Sequence, residues 1–87
     1  MKGFQQISGS TAHEKFPKVV GEIRTAWITS DGDAILEHGL AAYGVVCGGE
    51  YVACCPTFRH AERALISGIA RQISMELRGE SLAKVAP

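Results

Sequence analysis

The hydrophobic pattern changes period at Cys54-Cys55-Pro56-Thr57-Phe58, and that change predicts the layout of the C-terminal half. Residues 41–47 and 50–55 are two strand-forming runs separated by Gly48-Gly49. A Gly-Gly pair in this setting predicts a two-residue hairpin, because both corner positions need positive φ. In that register Val45 faces Val52 and Tyr43 faces Cys54. One face then carries Tyr43, Val45, Cys47, Val52 and Cys54. The other carries Gly44, Val46, Tyr51, Ala53 and Cys55. Both faces are apolar, so a central hairpin over 41–55, covered on at least one side, is expected.

After Pro56, apolar positions recur every three to four residues. Helical spacing places Phe58, Ala61, Leu65, Ile69, Gln72, Ile73 and Met75 on one side, with Arg59, His60, Arg63, Ser67, Arg71, Ser74 and Arg78 on the other. One long helix over 58–78 is predicted, with Thr57 as N-cap and Gly79 as the glycine that ends it. Gly68 falls on the buried side, where it would let the helix approach the sheet.

The N-terminal half is less decided. Residues 1–12 are polar and predict a flexible arm. Thr11-Ala12-His13-Glu14 matches a capping box, but Pro17 favours a helix that starts near position 17. Phe16, Val19, Val20, Ile23, Ala26 and Trp27 have helical spacing, so an N-terminal helix over 17–28 is expected. The competing reading makes 20–29 the first strand of a meander, since Thr25, Ile28 and Thr29 are strand formers. Ser30-Asp31-Gly32-Asp33 is a turn either way. The fold class expected is α+β, an antiparallel sheet of three to four strands packed by the 58–78 helix, in one domain over 1–87 with a frayed tail at 80–87.

With residues 17–28 helical, the order helix, three strands, helix resembles the double-stranded-RNA-binding domain, and Thr57-Phe58-Arg59-His60-Ala61-Glu62-Arg63-Ala64-Leu65 is similar to the start of that family's second helix. With those residues as a strand, the meander followed by a helix resembles the partner-binding domain of HicB-type antitoxins.

Charge and chemistry narrow the function. Nine basic and nine acidic residues cancel, so no bulk field favours nucleic acid or membrane. No apolar run reaches the ~20 residues that span a bilayer. With no leader pattern and three cysteines, an odd number, reduced thiols in the cytoplasm are expected. The thiols Cys47, Cys54 and Cys55 lack zinc spacing, and Cys55 with His60 lacks a third group to orient the histidine. Asp31, Asp33 and Glu37 are turn and surface carboxylates without a calcium-loop pattern. His13 and His38 read as surface residues, and Trp27 as a core anchor.

These features point to a non-enzymatic protein-binding module that regulates or inhibits a larger macromolecule. In size and make-up it resembles small phage and mobile-element inhibitors of host machinery, anti-CRISPR proteins included. The partner expected is another protein with an acidic surface, met by Arg59, Arg63, Arg71, Arg78 and His60, and a homodimer is expected from the small core. Nucleic-acid binding through the same arginine face is the second reading, and a small metal- or thiol-dependent enzyme the third. No cofactor, metal or membrane is called for.

Overall fold

In the computed structural model, which describes residues 3–79, each of five strands pairs with its neighbour in sequence. They are β1 (Phe4–Ser8), β2 (Thr25–Thr29), β3 (Ala34–Gly39), β4 (Ala42–Cys47) and β5 (Glu50–Cys55), all antiparallel. Helix α1 (Gly9–Lys15) follows β1, and α2 (Phe58–Ile66) and α3 (Ile69–Leu77) follow β5. The class is α+β with an antiparallel sheet. The sheet has five strands rather than three or four, and the tail at 80–87 lies outside the described residues.

Two expectations at the N-terminal end are corrected. Residues 4–12 are not a loose arm: they form β1 and the first half of α1, which starts from Ser8, whose hydroxyl accepts from the Thr11 amide. The period-2 signal of β1 is thin because only Phe4 and Ile7 are apolar, one on each face. Nor is 17–28 a helix. Pro17-Lys18 is a turn, Gly21 has φ +100°, and Thr25–Thr29 is a strand paired on both sides. Pairing with two neighbours outweighs the helical spacing of Phe16, Val19 and Ile23. Those side chains still pack inward, but from an irregular segment. The meander alternative holds for Thr25–Thr29 alone, which is the second strand rather than the first, while residues 20–24 are irregular.

The sheet has a core on each face. On one side Ala26, Ala34, Leu36 and Val46 meet Ala12 of α1, with Ile23, Phe16 and Val19 from the connecting segment. On the other, Ile35, Val45 and Cys47 meet Ala61 and Ala70 of the C-terminal helices. The alternation of Ala34, Ile35 and Leu36 serves both, and all three are buried. On the first face, α1 sits so close that a Cβ on Gly9 would collide with the Ile23 carbonyl oxygen. On the second, Phe58 inserts among three rings edge-on: Trp27 at 4.8 Å, Phe4 at 6.1 Å and Tyr43 at 6.2 Å between centroids. Trp27 is a core anchor, as expected.

The β4–β5 corner is the expected Gly48-Gly49 hairpin, with φ +60° and +82°. Beyond it a bulge shifts the register, so Val46 pairs with Tyr51 but Val45 with Ala53. Tyr43 therefore faces Cys55, and Gly44 faces Cys54, which corrects the predicted face assignment. Val52 and Ala53 are both apolar, so the pattern alone could not expose the extra residue. The bulge turns both of them toward the C-terminal helices.

Gly9→Ala should cost about 3 kcal/mol or more, because backbone must move to admit the methyl group. Gly68→Ala, in open space at φ +88°, should cost only the left-handed strain of about 1–2 kcal/mol. Urea unfolding of the two variants tests this ranking, and equal losses would contradict the close approach at Gly9.

Candidate binding surface

Thr57 caps α2 as predicted: its hydroxyl accepts from the His60 amide at 3.1 Å. The same oxygen lies 2.6 Å from His60 Nδ1, so the imidazole is turned back onto its own cap. Ala61, Leu65 and Phe58 face the sheet, which leaves Arg59 and Arg63 exposed on the outside of α2.

The helix does not run on to position 78. Ser67 closes α2 through its amide to the Arg63 carbonyl, and Gly68 adopts φ +88° before α3 begins. Gly68 is exposed with no atom near its Cβ position, so it is a joint and not a point of close contact with the sheet. The joint also re-aims α3. Ala70 and Ser74 become its buried residues, while Ile69 and Met75, expected inside, are exposed. Periodicity could not show this, since a left-handed glycine resets the angular count without breaking the spacing of apolar residues.

The predicted arginine stripe is accordingly in two parts. Arg59 and Arg63 stand on α2. Arg71 stands exposed on α3, and Arg78 lies just past its end, where Nη1 donates to the Gly48 carbonyl at 3.4 Å. Among the described residues, Arg59, Arg63 and Arg71 take part in no ion pair. Beside them the joint exposes Ile66 (75%) and Ile69 (56%), and Leu77 is exposed at the end of α3.

Between α3, the β2–β3 turn and the β4–β5 corner lies a cavity of about 250 Å³. Arg71, Ser74 and Arg78 line it from the helix side, and Asp31, Asp33, Cys47 and Gly48 from the strand side. Asp33 Oδ1 accepts from the Gly48 amide at 3.1 Å, which ties the turn to the corner. Cys47 is only 5% exposed. Burial pushes its thiol pKa up, the adjoining Asp33 carboxylate pushes it further, and Arg71 and Arg78 act against both. Sequence reasoning assigned Asp33 to turn geometry and Cys47 to the core, and the folding-back of α3 that joins them to two arginines left no local signal.

The opposite face carries a second polar cluster. A bulge between Glu37 and Gly39 frees His38 from the ladder. Its Nδ1 lies 2.8 Å from the Glu22 carbonyl, so that nitrogen carries the proton, and Nε2 accepts from the Tyr51 hydroxyl at 3.0 Å. His38 stays partly exposed, but both ring nitrogens are partnered, which its sequence neighbourhood did not indicate. The Tyr51 ring crosses Gly44, where a Cβ would meet it at 2.6 Å. Burial, and then the neighbouring Cys54 thiol, push the Tyr51 pKa up to about 12. Next to it, Phe16, Pro17, Val19, Val46 and Tyr51 line an apolar cavity of about 380 Å³.

Cys47, Cys54 and Cys55 are free thiols, Cys54 being exposed. Among the described residues, no three His, Cys, Asp or Glu side chains gather as a metal site, and no helix is long and apolar enough to cross a membrane. No family model, curated protein or solved structure matches the chain.

Two outcomes follow from these environments. Under native conditions a thiol reagent should modify Cys54 first and Cys47 last, read by mass spectrometry of peptides. Rapid labelling of Cys47 would contradict its burial. The raised Tyr51 pKa also sets a sign: its contribution to stability is full below the unfolded value near 10 and is lost as pH rises through about 12. The gap in unfolding midpoint between the native chain and Tyr51→Phe should therefore narrow between those values. A constant gap would contradict a protonated, His38-bonded phenol.

Proposed function

We propose that this chain is a small non-enzymatic binding module of the cytoplasm that regulates or inhibits a larger macromolecule, and that it grips an acidic protein surface with the outside of α2 and α3. The observation that carries this reading is the pairing of exposed cations with exposed apolar side chains around the Gly68 joint. Arg59, Arg63 and Arg71 bring guanidinium groups suited to bidentate carboxylate contacts. Ile66 and Ile69, between them in sequence, offer an apolar centre. A few apolar residues with Arg around them is the make-up of a protein interface. His60 and Arg78 sit at the margins of this surface, each already engaged with its own neighbourhood.

Nucleic acid is the weaker reading because no exposed aromatic side chain stands among these arginines to stack a base, and the net charge is zero. The same apolar residues suit a second copy of the chain, and a homodimer belongs to this proposal. Its small, neutral form fits an inhibitor of the kind that phages and mobile elements direct at host machinery.

The test is capture of a partner from the native host with the full chain and with Arg59→Glu/Arg63→Glu. Exposed charge reversals should change stability by no more than about 0.5 kcal/mol each. Partner recovery should fall at least about tenfold, a loss of roughly 1.4 kcal/mol. Retained capture by the variant would sink the reading. So would tight binding of generic DNA or RNA with a steep salt dependence, which marks phosphate contacts.

A further inference from the structure

The cavity between α3 and the hairpin corner holds a buried hydroxyl without a partner. Ser74 is fully buried, and its Oγ has no hydrogen-bond partner. A buried hydroxyl in that state costs free energy unless something completes it. Its position is fixed by Gly48: a Cβ built there would stand 2.6 Å from Ser74 Oγ and 3.1 Å from the guanidinium of Arg78. Gly48 lines the cavity along with Ser74 and Arg78, so hydroxyl and guanidinium converge on one spot in its wall. Any residue with a side chain at position 48 would close that spot, quite apart from the strain at φ +60°.

The walls differ in sign. Arg71 and Arg78 stand on the helix side, Asp31 and Asp33 on the strand side. The buried Cys47 thiol between them feels both signs, raised by Asp33 and lowered by the two arginines. A plain anion would be drawn to the arginines but would face two carboxylates. A plain cation would meet the reverse. At about 250 Å³ the space is below the range that takes drug-sized ligands.

We propose that this cavity binds a free α-amino acid, its carboxylate held by Arg71 and the Ser74 hydroxyl and its ammonium by Asp33 and Asp31. The site shares Arg71 with the proposed partner surface, whereas Asp31, Asp33 and Ser74 lie off that surface.

The experiment is an amide-resolved NMR titration of the full chain with L-alanine, with acetate and with ethylammonium. L-alanine should shift the Gly48 and Ser74 amides and saturate, with a Kd on the order of 1 mM or below. Acetate and ethylammonium should each bind at least about tenfold more weakly, since each loses one charge-assisted contact and gains a repulsion. Arg71→Gln and Asp33→Asn should each weaken L-alanine by about tenfold or more, and Ser74→Ala by a smaller factor. Asn at position 33 can still accept from the Gly48 amide, so the corner stays tied. Because Asp33 lies off α2, loss of L-alanine binding with partner capture intact separates this proposal from the previous one. Acetate binding as tightly as L-alanine, or no shift at Gly48 with any of the three, would overturn it.

Discussion

The seating of Phe58 between Trp27, Phe4 and Tyr43 is the contact on which the rest of the molecule depends. It joins the first residue of α2 to β1, β2 and β4 at once. Edge-on aromatic pairs contribute beyond their buried area, and the other side chains of that face, Ile35, Val45, Val52 and Leu65 among them, are aliphatic. Ala61 and Ala70 are the buried apolar side chains of the C-terminal helices. Wedged among three rings, Phe58 sets where α2 begins. Thr57, immediately before it, then sets the cap.

From that anchor the exposed features follow in order. Fixing Phe58 points Arg59 and Arg63 outward. Ending α2 at Ser67 and turning at Gly68 lets α3 lie back over β4 and β5, with Ser74 inside. This brings Arg71 and Arg78 to the hairpin corner. The opposite face works differently. There the packing is close because it uses Gly9 and alanines, and the two bulges re-aim His38 and let Tyr51 lie over Gly44. One face is built from rings and the other from near contact of backbone.

What could be seen in the sequence was what local chemistry decides. The Gly48-Gly49 corner, the Thr57 cap, the Gly79 stop and the α+β class follow from short-range rules, and each stands in the structure. What could not be seen depended on neighbours distant in sequence. β1 has two apolar residues and gains its identity from pairing with β2. Residues 17–28 have helical spacing, and only the strands on either side of Thr25–Thr29 make it extended. The bulge at Val52 hides because either register buries apolar groups. The opposed charges around Cys47 come from three elements, and no spacing within one element foretells them.

The neighbour-to-neighbour order of the sheet has a kinetic meaning. From β2 to β5 each strand can zip onto the one just made across a short turn, while β1 reaches β2 only across α1 and the segment that follows it. The Phe4–Phe58 contact closes nearly the whole length of the sheet. During synthesis, which proceeds from the N-terminus, the strands are complete before Phe58 has left the ribosome. Trp27, Ile35, Tyr43 and Val45 then wait with one side bare. That bare face is covered only when α2 and α3 fold back over it.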